Sequence, residues 1–191
     1  MKRFLFLLLG LTALALVACG PLQFVTLDVD ALLFIPEEER VGNMPIAGGF
    51  SQRYPEEGID SSELGVPEDI YANLRQFDLS LSSSMTLNEA SEPITVTAGI
   101  YLSDSQATLY DEAQIEQSVT LAPDETQVID LDILINEVDN PDLYTLITGG
   151  SFFLGVELES DGSSSAVGTV DAELTTLDIT ISADVSDFLS F

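Results

Sequence analysis

Residues 127–135, QVIDLDILI, decide the fold class. Ile129, Leu131 and Ile133 fall on one side of an extended chain, and Asp130 and Asp132 fall on the other. At 100° per residue a helix would mix these side chains around its circumference, whereas a strand sorts them into an apolar face and a wet one. The stretch "APDET" just before it has the proline, aspartate and short polar side chains of a turn. A half-buried antiparallel strand is the direct reading.

The same period continues in both directions. Ile115, Val119 and Leu121 suggest a strand before the turn, and Ile94, Val96, Ala98, Ile100 and Leu102 alternate with Thr95, Thr97 and Tyr101. Phe77, Leu79 and Leu81 alternate with Asp78, Ser80 and Ser82. Downstream, "SFFLGVELES" sets Phe152, Leu154, Val156 and Leu158 on one face, and "DGSSS" turns the chain back. In "AVGTVDAELTTLDITISADV" the apolar residues are even-numbered through Val170, Ala172 and Leu174, then odd-numbered through Leu177, Ile179, Ile181 and Val185. That change of frame at Thr175-Thr176 calls for a β-bulge or a strand crossing between sheets. At the N-terminal end, "FVTLDVDALLFIP" places Val25, Leu27, Val29, Ala31, Leu33 and Ile35 on one side and Thr26, Asp28 and Asp30 on the other.

Two stretches break the pattern. In "NPDLYTLITGG", Asn140 suits an N-cap, Pro141 the first helical turn and Asp142 the helix dipole, and Gly149 or Gly150 can end the segment. One short helix is expected there. Pro36 to Asp69 is rich in Pro, Gly and charge and shows little periodicity, so it reads as a long irregular loop with a single helical turn in "SSELGVPEDIYANL". The expectation is an all-β chain: one immunoglobulin-like antiparallel β-sandwich of about seven strands with one short helix. No internal repeat and no second domain are visible.

Composition supports a folded core, since 46% of the 191 residues are apolar. The net charge of −28 comes from 33 acidic against 5 basic residues. Lys2 and Arg3 precede the apolar N-terminal run, leaving Arg40, Arg53 and Arg75, and there is no Lys or Arg from Gln76 to Phe191. Nucleic acid binds through Lys and Arg that displace counterions, so no nucleic-acid partner is expected, and anionic lipid is repelled likewise. The acidity has three readings: solubility, divalent-cation binding and adaptation to salt.

The first residues, "MKRFLFLLLGLTALALVAC", have a cationic start, an apolar stretch from Phe4 to Val17 and small Ala18 before a cut. The apolar stretch is shorter than the roughly 20 residues that cross a bilayer as a helix, which favours an export signal over a permanent anchor. Leu16-Val17-Ala18-Cys19 resembles the lipobox of bacterial lipoproteins. The resemblance implies a signal peptide over residues 1–18, a diacylglyceryl thioether on Cys19, usually a further acyl group such as palmitate on its amine, and a mature chain of residues 19–191. It also implies a membrane partner reached through acyl chains. Each buried methylene contributes about 0.8 kcal/mol and one chain anchors only marginally, so two or three chains are needed for a durable hold. Gly20, where aspartate tends to retain lipoproteins at the inner membrane, favours the outer membrane in a diderm cell; in a monoderm cell the anchor is the cell membrane. The order of "SVTLAPDETQVIDLDI", "NPDLYTLITGG" and "SFFLGVELES" is also similar to the late-embryogenesis-abundant type 2, or water-stress, domain. That family implies a non-enzymatic envelope or stress role, although its Asn-Pro-Asn signature is missing from "FDLSLSSSMTLNEA".

Catalytic constellations are scarce. The chain has no His and no Trp, and its only thiol is Cys19. Histidine-based triads, most zinc and copper sites, lysine chemistry in the exported part and phosphate loops therefore drop out. No enzyme is expected; carboxylate pairs, the one remaining means of hydrolysis, are too numerous among these acids to be informative. Oxygen ligands do suit Ca2+. Asp139, Asn140 and Asp142, with Glu137, are the densest loop cluster in "EVDNPD", and "SDG" around Asp161 is another. The same residues serve equally as the helix cap, and Asp28/Asp30 and Asp130/Asp132 as wet strand faces. The sequence thus points to a lipid-anchored envelope lipoprotein acting as a structural or interaction module with an envelope protein as partner. The alternative is a Ca2+- or small-ligand-binding domain using acidic loops, with no other cofactor.

Overall fold

The computed structural model describes residues 24–160 and 167–185; the expected signal peptide over residues 1–18, Cys19 and Asp161 lie outside them. Nine strands make up two antiparallel sheets among these residues. The first sheet holds β1 (Phe24–Asp30), β2 (Val41–Pro45), β4 (Leu74–Asn88), β7 (Thr126–Ile135) and β9 (Thr169–Asp184). The second holds β3 (Phe50–Asp60), β5 (Ile94–Ser103), β6 (Ile115–Leu121) and β8 (Phe153–Ser160). Strand order is β1-β9-β4-β7 in one, with β2 following β1 along the edge of β9, and β3-β8-β5-β6 in the other.

The expected sandwich is therefore present. In immunoglobulin terms β4 and β7 stand as strands B and E, and β5 and β8 as C and F, with β6 outside β5. β9 and β3 then occupy the flanks where the first and last strands of that fold would run.

The core is built from the alternation. Phe77, Leu79, Leu81, Met85 and Leu87 of β4 face Val96, Ala98 and Ile100 of β5 and Leu154, Val156 and Leu158 of β8 in one buried cluster. Ile129, Leu131 and Ile135 of the opening stretch join it, while Asp130 and Asp132 stay exposed. β9 carries its frame change as a bulge: Ser82 pairs with Thr176 but Ser83 with Leu174. A bulge strands backbone groups, and two hydroxyls collect them. Fully buried Ser83 donates to the Glu173 carbonyl at 3.2 Å, and Thr175 donates to the Ser82 carbonyl at 3.1 Å.

Both helices cross between the sheets at the same end of the sandwich. α1 (Glu68–Ala72) links β3 to β4 and α2 (Pro141–Thr148) links β7 to β8. Phe152 packs edge-on against Tyr71 of α1 at 5.6 Å and against Phe77 at 5.9 Å, which closes that end of the core. β1 also starts at this end: Phe24 pairs with Asp184, and the Arg75 guanidinium lies 4.0 Å from the Phe24 ring while bonding Asp184 at 2.9 Å.

Three readings need correction. Pro36 to Asp69 is not one irregular loop, because it contains β2 and β3. Both are edge strands, where one unpaired flank tolerates Pro and Gly and weakens the alternation; β3 in addition shifts register between Tyr54 and Ile59, around the cis Tyr54-Pro55 bond. These two strands raise the count from about seven to nine. Finally, β1 ends at Asp30, whose carboxylate accepts from the Leu32 amide at 3.1 Å and starts a 3-10 turn over Ala31–Phe34. That turn rotates Leu33 outward to 63% exposure, away from Ala31 and Ile35.

Candidate functional site

The outer face of the second sheet carries the most constructed polar cluster. On β3, β8 and β5 the residues facing away from the core include Arg53, Glu157, Gly155, Gly99 and Tyr101, with Arg53 opposite Glu157 and Tyr101 opposite Gly155. Carboxylates rarely stay buried without partners, and Glu157 is 6% exposed. Its partners explain this: Ser51 Oγ donates to Oε1, Arg53 Nε donates to the same oxygen at 3.2 Å, and the Tyr101 hydroxyl bonds the carboxylate.

Two tyrosines roof this group. After β5, a 3-10 turn at Gln106–Thr108 folds the chain back over the sheet, with Ser105 accepting from the Ala107 amide. Leu109 is thereby buried beside Gly58, whose φ of +76° and lack of Cβ permit the close approach. Tyr110 then lies across Gly155 and Tyr101 across Gly99. A Cβ at Gly155 would sit 2.5 Å from Tyr110 Oη, and one at Gly99 would sit 2.9 Å from Tyr101 Cε2. The two rings meet at 5.2 Å and 57°, the Arg53 guanidinium lies 4.4 Å from the Tyr110 centroid, and Tyr110 donates to the Pro55 carbonyl at 2.6 Å. Burial pushes both phenols well above their ordinary range; the Glu157 charge adds to this for Tyr101, and Arg53 partly offsets it for Tyr110.

Beside this roof is a hollow of ≈ 370 Å³ lined by Arg53, Glu56, Glu57, Gln106, Ala107, Tyr110 and Asp111. Arg53 lines it, and of its nitrogens only Nε bonds Glu157. A second hollow of ≈ 320 Å³ lies on the first sheet between β2 and β4. Its Asp171 is already occupied by the Asn43 amide and, at 2.7 Å, by the Asn88 amide.

The acidic candidates are placed as follows. Asp139 receives the Asn136 amide at 2.7 Å, and Asn136 Oδ1 accepts from the Val138 and Asp139 backbone at 2.9 Å each. Asn140 stands at the N-cap of α2, but its side chain makes no cap bond and its Oδ1 is buried without a partner among the described residues. Asp142 lies in the first helical turn. The loop is thus organised by Asn136, which the sequence reading passed over. Among the described residues no three acidic side chains are grouped to hold a metal ion. Across the first sheet Asp30, Asp178, Ser80 and Asp132 form one row in register. Burial first, and then the charges of Asp30 and Asp28, raise the Asp178 carboxyl above its ordinary value.

Arg53, Tyr101, Tyr110, Ser51 and Glu157 were missed as a group. Their one sequence signal was the pair of glycines inside otherwise regular strands, a mark of close approach by another group.

No family model matches the chain, and no curated protein matches it. Among solved structures it is similar to infectious bursal disease virus, Gx strain, at 14% identity over 91% of this chain and 37% of that one, with TM-score 0.40. It is also similar to the glycoside hydrolase domain of Endo-D from Streptococcus pneumoniae R6, at 11% identity over 74% and 17%, TM-score 0.33, and to turnip yellow mosaic virus, at 9% over 91% and 88%, TM-score 0.33. The chain spans about a third of the length of the first two virus chains it matches, which come from the Gx and Gt strains.

Proposed function

We propose that this chain is an exported bacterial lipoprotein, held to the cell membrane or outer membrane by acyl chains on Cys19, whose sandwich works by contact rather than catalysis. The observation that carries this reading is the position of β1. Four residues, Gly20 to Gln23, separate Cys19 from Phe24, and the five Cα-to-Cα steps reach at most about 18 Å. Phe24 is itself fastened by Arg75 and Asp184 to the end of the sandwich that carries both helices. An anchor at Cys19 therefore holds that end close to the bilayer and presents the rest of the body in one orientation. No helix among the described residues is long and apolar enough to cross a membrane.

Metabolic labelling with a fatty-acid probe tests the anchor. The chain is expected to take up label, lose the mass of residues 1–18 and fractionate with membranes, and Cys19→Ala is expected to abolish the label and the mass loss. A native chain that takes up no label, or a Cys19→Ala chain that is still labelled and processed, would overturn the proposal. The Ca2+ reading has less support, because Asp139 is engaged by Asn136. A melting temperature raised several degrees by millimolar Ca2+ but not by Mg2+ would revive it.

A further inference from the structure

We propose that the hollow beside Tyr110 binds a small zwitterion, a molecule carrying an oxyanion and an ammonium group a few bonds apart. Its walls carry both signs of charge. The Arg53 guanidinium, 44% exposed, lies against the Tyr110 ring and pairs through Nε with Glu157, while its terminal nitrogens make no hydrogen bond to a described residue. The same hollow is lined by Glu56, Glu57 and Asp111, whose carboxylates have no salt bridge to a described residue. An arginine with unused N–H groups and three acids thus border one space. A guanidinium edge suits a planar or tetrahedral oxyanion, which it can bond through two parallel N–H groups, and the carboxylates suit an ammonium.

Electrostatics favours the zwitterion over either half. A simple anion must enter the field of a chain with net charge −28. A simple cation leaves the Arg53 nitrogens unmatched. A neutral molecule with separated charges meets both walls and gains nothing or loses nothing from the distant field. The site is also rigid, because Gly155 lets Tyr110 lie on the sheet and Pro55 holds its hydroxyl, so little ordering is left for the ligand to impose.

This chemistry has two sources: the headgroup of a zwitterionic phospholipid, or a free solute such as an amino acid or glycerophosphoethanolamine. The hollow lies toward the helix-bearing end of the second sheet, where the Ser103–Gln114 connection leaves β5 and β8 begins. That is also the end at which β1 starts. The assignment itself does not rest on acylation, so it is tested on the full chain carrying Cys19→Ala. Calorimetric titration with sn-glycero-3-phosphoethanolamine, whose phosphodiester and ammonium charges cancel, is expected to show saturable binding at least tenfold tighter than inorganic phosphate or ethanolamine alone. Arg53→Gln and the Glu57→Gln/Asp111→Asn double variant are each expected to weaken it tenfold or more; both acids are exposed, so the double variant keeps its melting temperature. Equal binding of phosphate or ethanolamine, unchanged binding by both variants, or no saturable binding would overturn the proposal. Sedimentation with phosphatidylethanolamine/phosphatidylcholine vesicles assigns the headgroup, and solute binding without sedimentation assigns the free zwitterion. Preference for phosphatidylglycerol vesicles would contradict it.

Discussion

Replacing Gly155 with alanine tests whether the tyrosine roof is held as described. The new Cβ would lie 2.5 Å from Tyr110 Oη, 2.7 Å from Cζ and 2.8 Å from Cε1, closer than carbon atoms pack, so the ring must lift. Lifting it breaks the 2.6 Å bond to the Pro55 carbonyl, at about 1 kcal/mol. It also opens the 4.4 Å Arg53 contact, at about 0.5–1 kcal/mol, and part of the packing on Tyr101, at a further ~0.5 kcal/mol. Alanine returns about 0.5–1 kcal/mol by restricting the unfolded strand. The balance is a loss of about 1–2 kcal/mol, or roughly 2–8 °C in Tm for a chain of this size. Urea unfolding followed by circular dichroism reads the loss. Absorbance near 295 nm reads the second consequence, a Tyr110 that ionises closer to its ordinary range once its ring is raised from the sheet. In a Tyr110→Ala background the same substitution should be neutral or stabilising, because the obstacle is gone. Equal losses in both backgrounds, or a stable Gly155→Ala protein with unchanged tyrosine titration, would refute the geometry.

Three further outcomes follow from buried or crowded groups. Burial pushes the Tyr54 phenol up to about 12; a raised value means stability is complete below pH ~10 and is lost as pH climbs to ~12, by about 3 kcal/mol from this residue alone. Tyr71, Tyr101 and Tyr110 shift the same way, so alkaline titration should unfold the chain cooperatively, and smooth ionisation near pH 10 in a folded protein would contradict this. Tyr54→Phe should leave stability unchanged or raise it by up to about 1 kcal/mol, since its hydroxyl is buried with no partner among the described residues; a loss above ~1 kcal/mol in urea titration would show that the hydroxyl is bonded. Asp178→Asn removes a carboxylate crowded by Asp30 and Asp28. The raised pKa makes its ionisation destabilising as pH rises, so the variant should melt slightly higher than the native chain at pH 7, by an amount kept small by solvent screening of this exposed group, and lose the advantage near pH 3, as thermal melts at both pH values will show.

The strands that were legible from residue types are those with two different faces. β4, β7, β8 and β9 are flanked on both edges or end in clear turns, and their inward residues are mostly apolar, with buried Ser83 of β4 the main exception, while most of their outward ones are polar. Even the bulge at Thr175 was readable, because one extra residue must invert the alternation downstream of it. β2 and β3 had no such contrast. Each pairs along only one edge, and β3 buries Tyr54 and Ile59 on either side of an irregular Pro55–Gly58 stretch, so no period survives.

The polar cluster was hidden for a related reason. Glu157 and Tyr101 occupy positions where alternation predicts solvent, and the loop after β5, carrying Tyr110, lies over them together with Ser51 and Arg53 of β3. Periodicity reports which way a side chain points relative to its own sheet, and it carries no information about what another segment lays on top. Glycine does carry some: an unbranched strand position facing outward has no packing reason to lack a side chain unless something lies there. Gly99 and Gly155 are two such positions on neighbouring strands, and the rings that fill them are what hold Arg53 at the edge of a hollow bordered by acids. In a chain whose basic residues beyond Arg3 are three arginines, that placement is a stronger pointer to ligand chemistry than the density of carboxylates, because an acid is the default on this surface and a guanidinium is not.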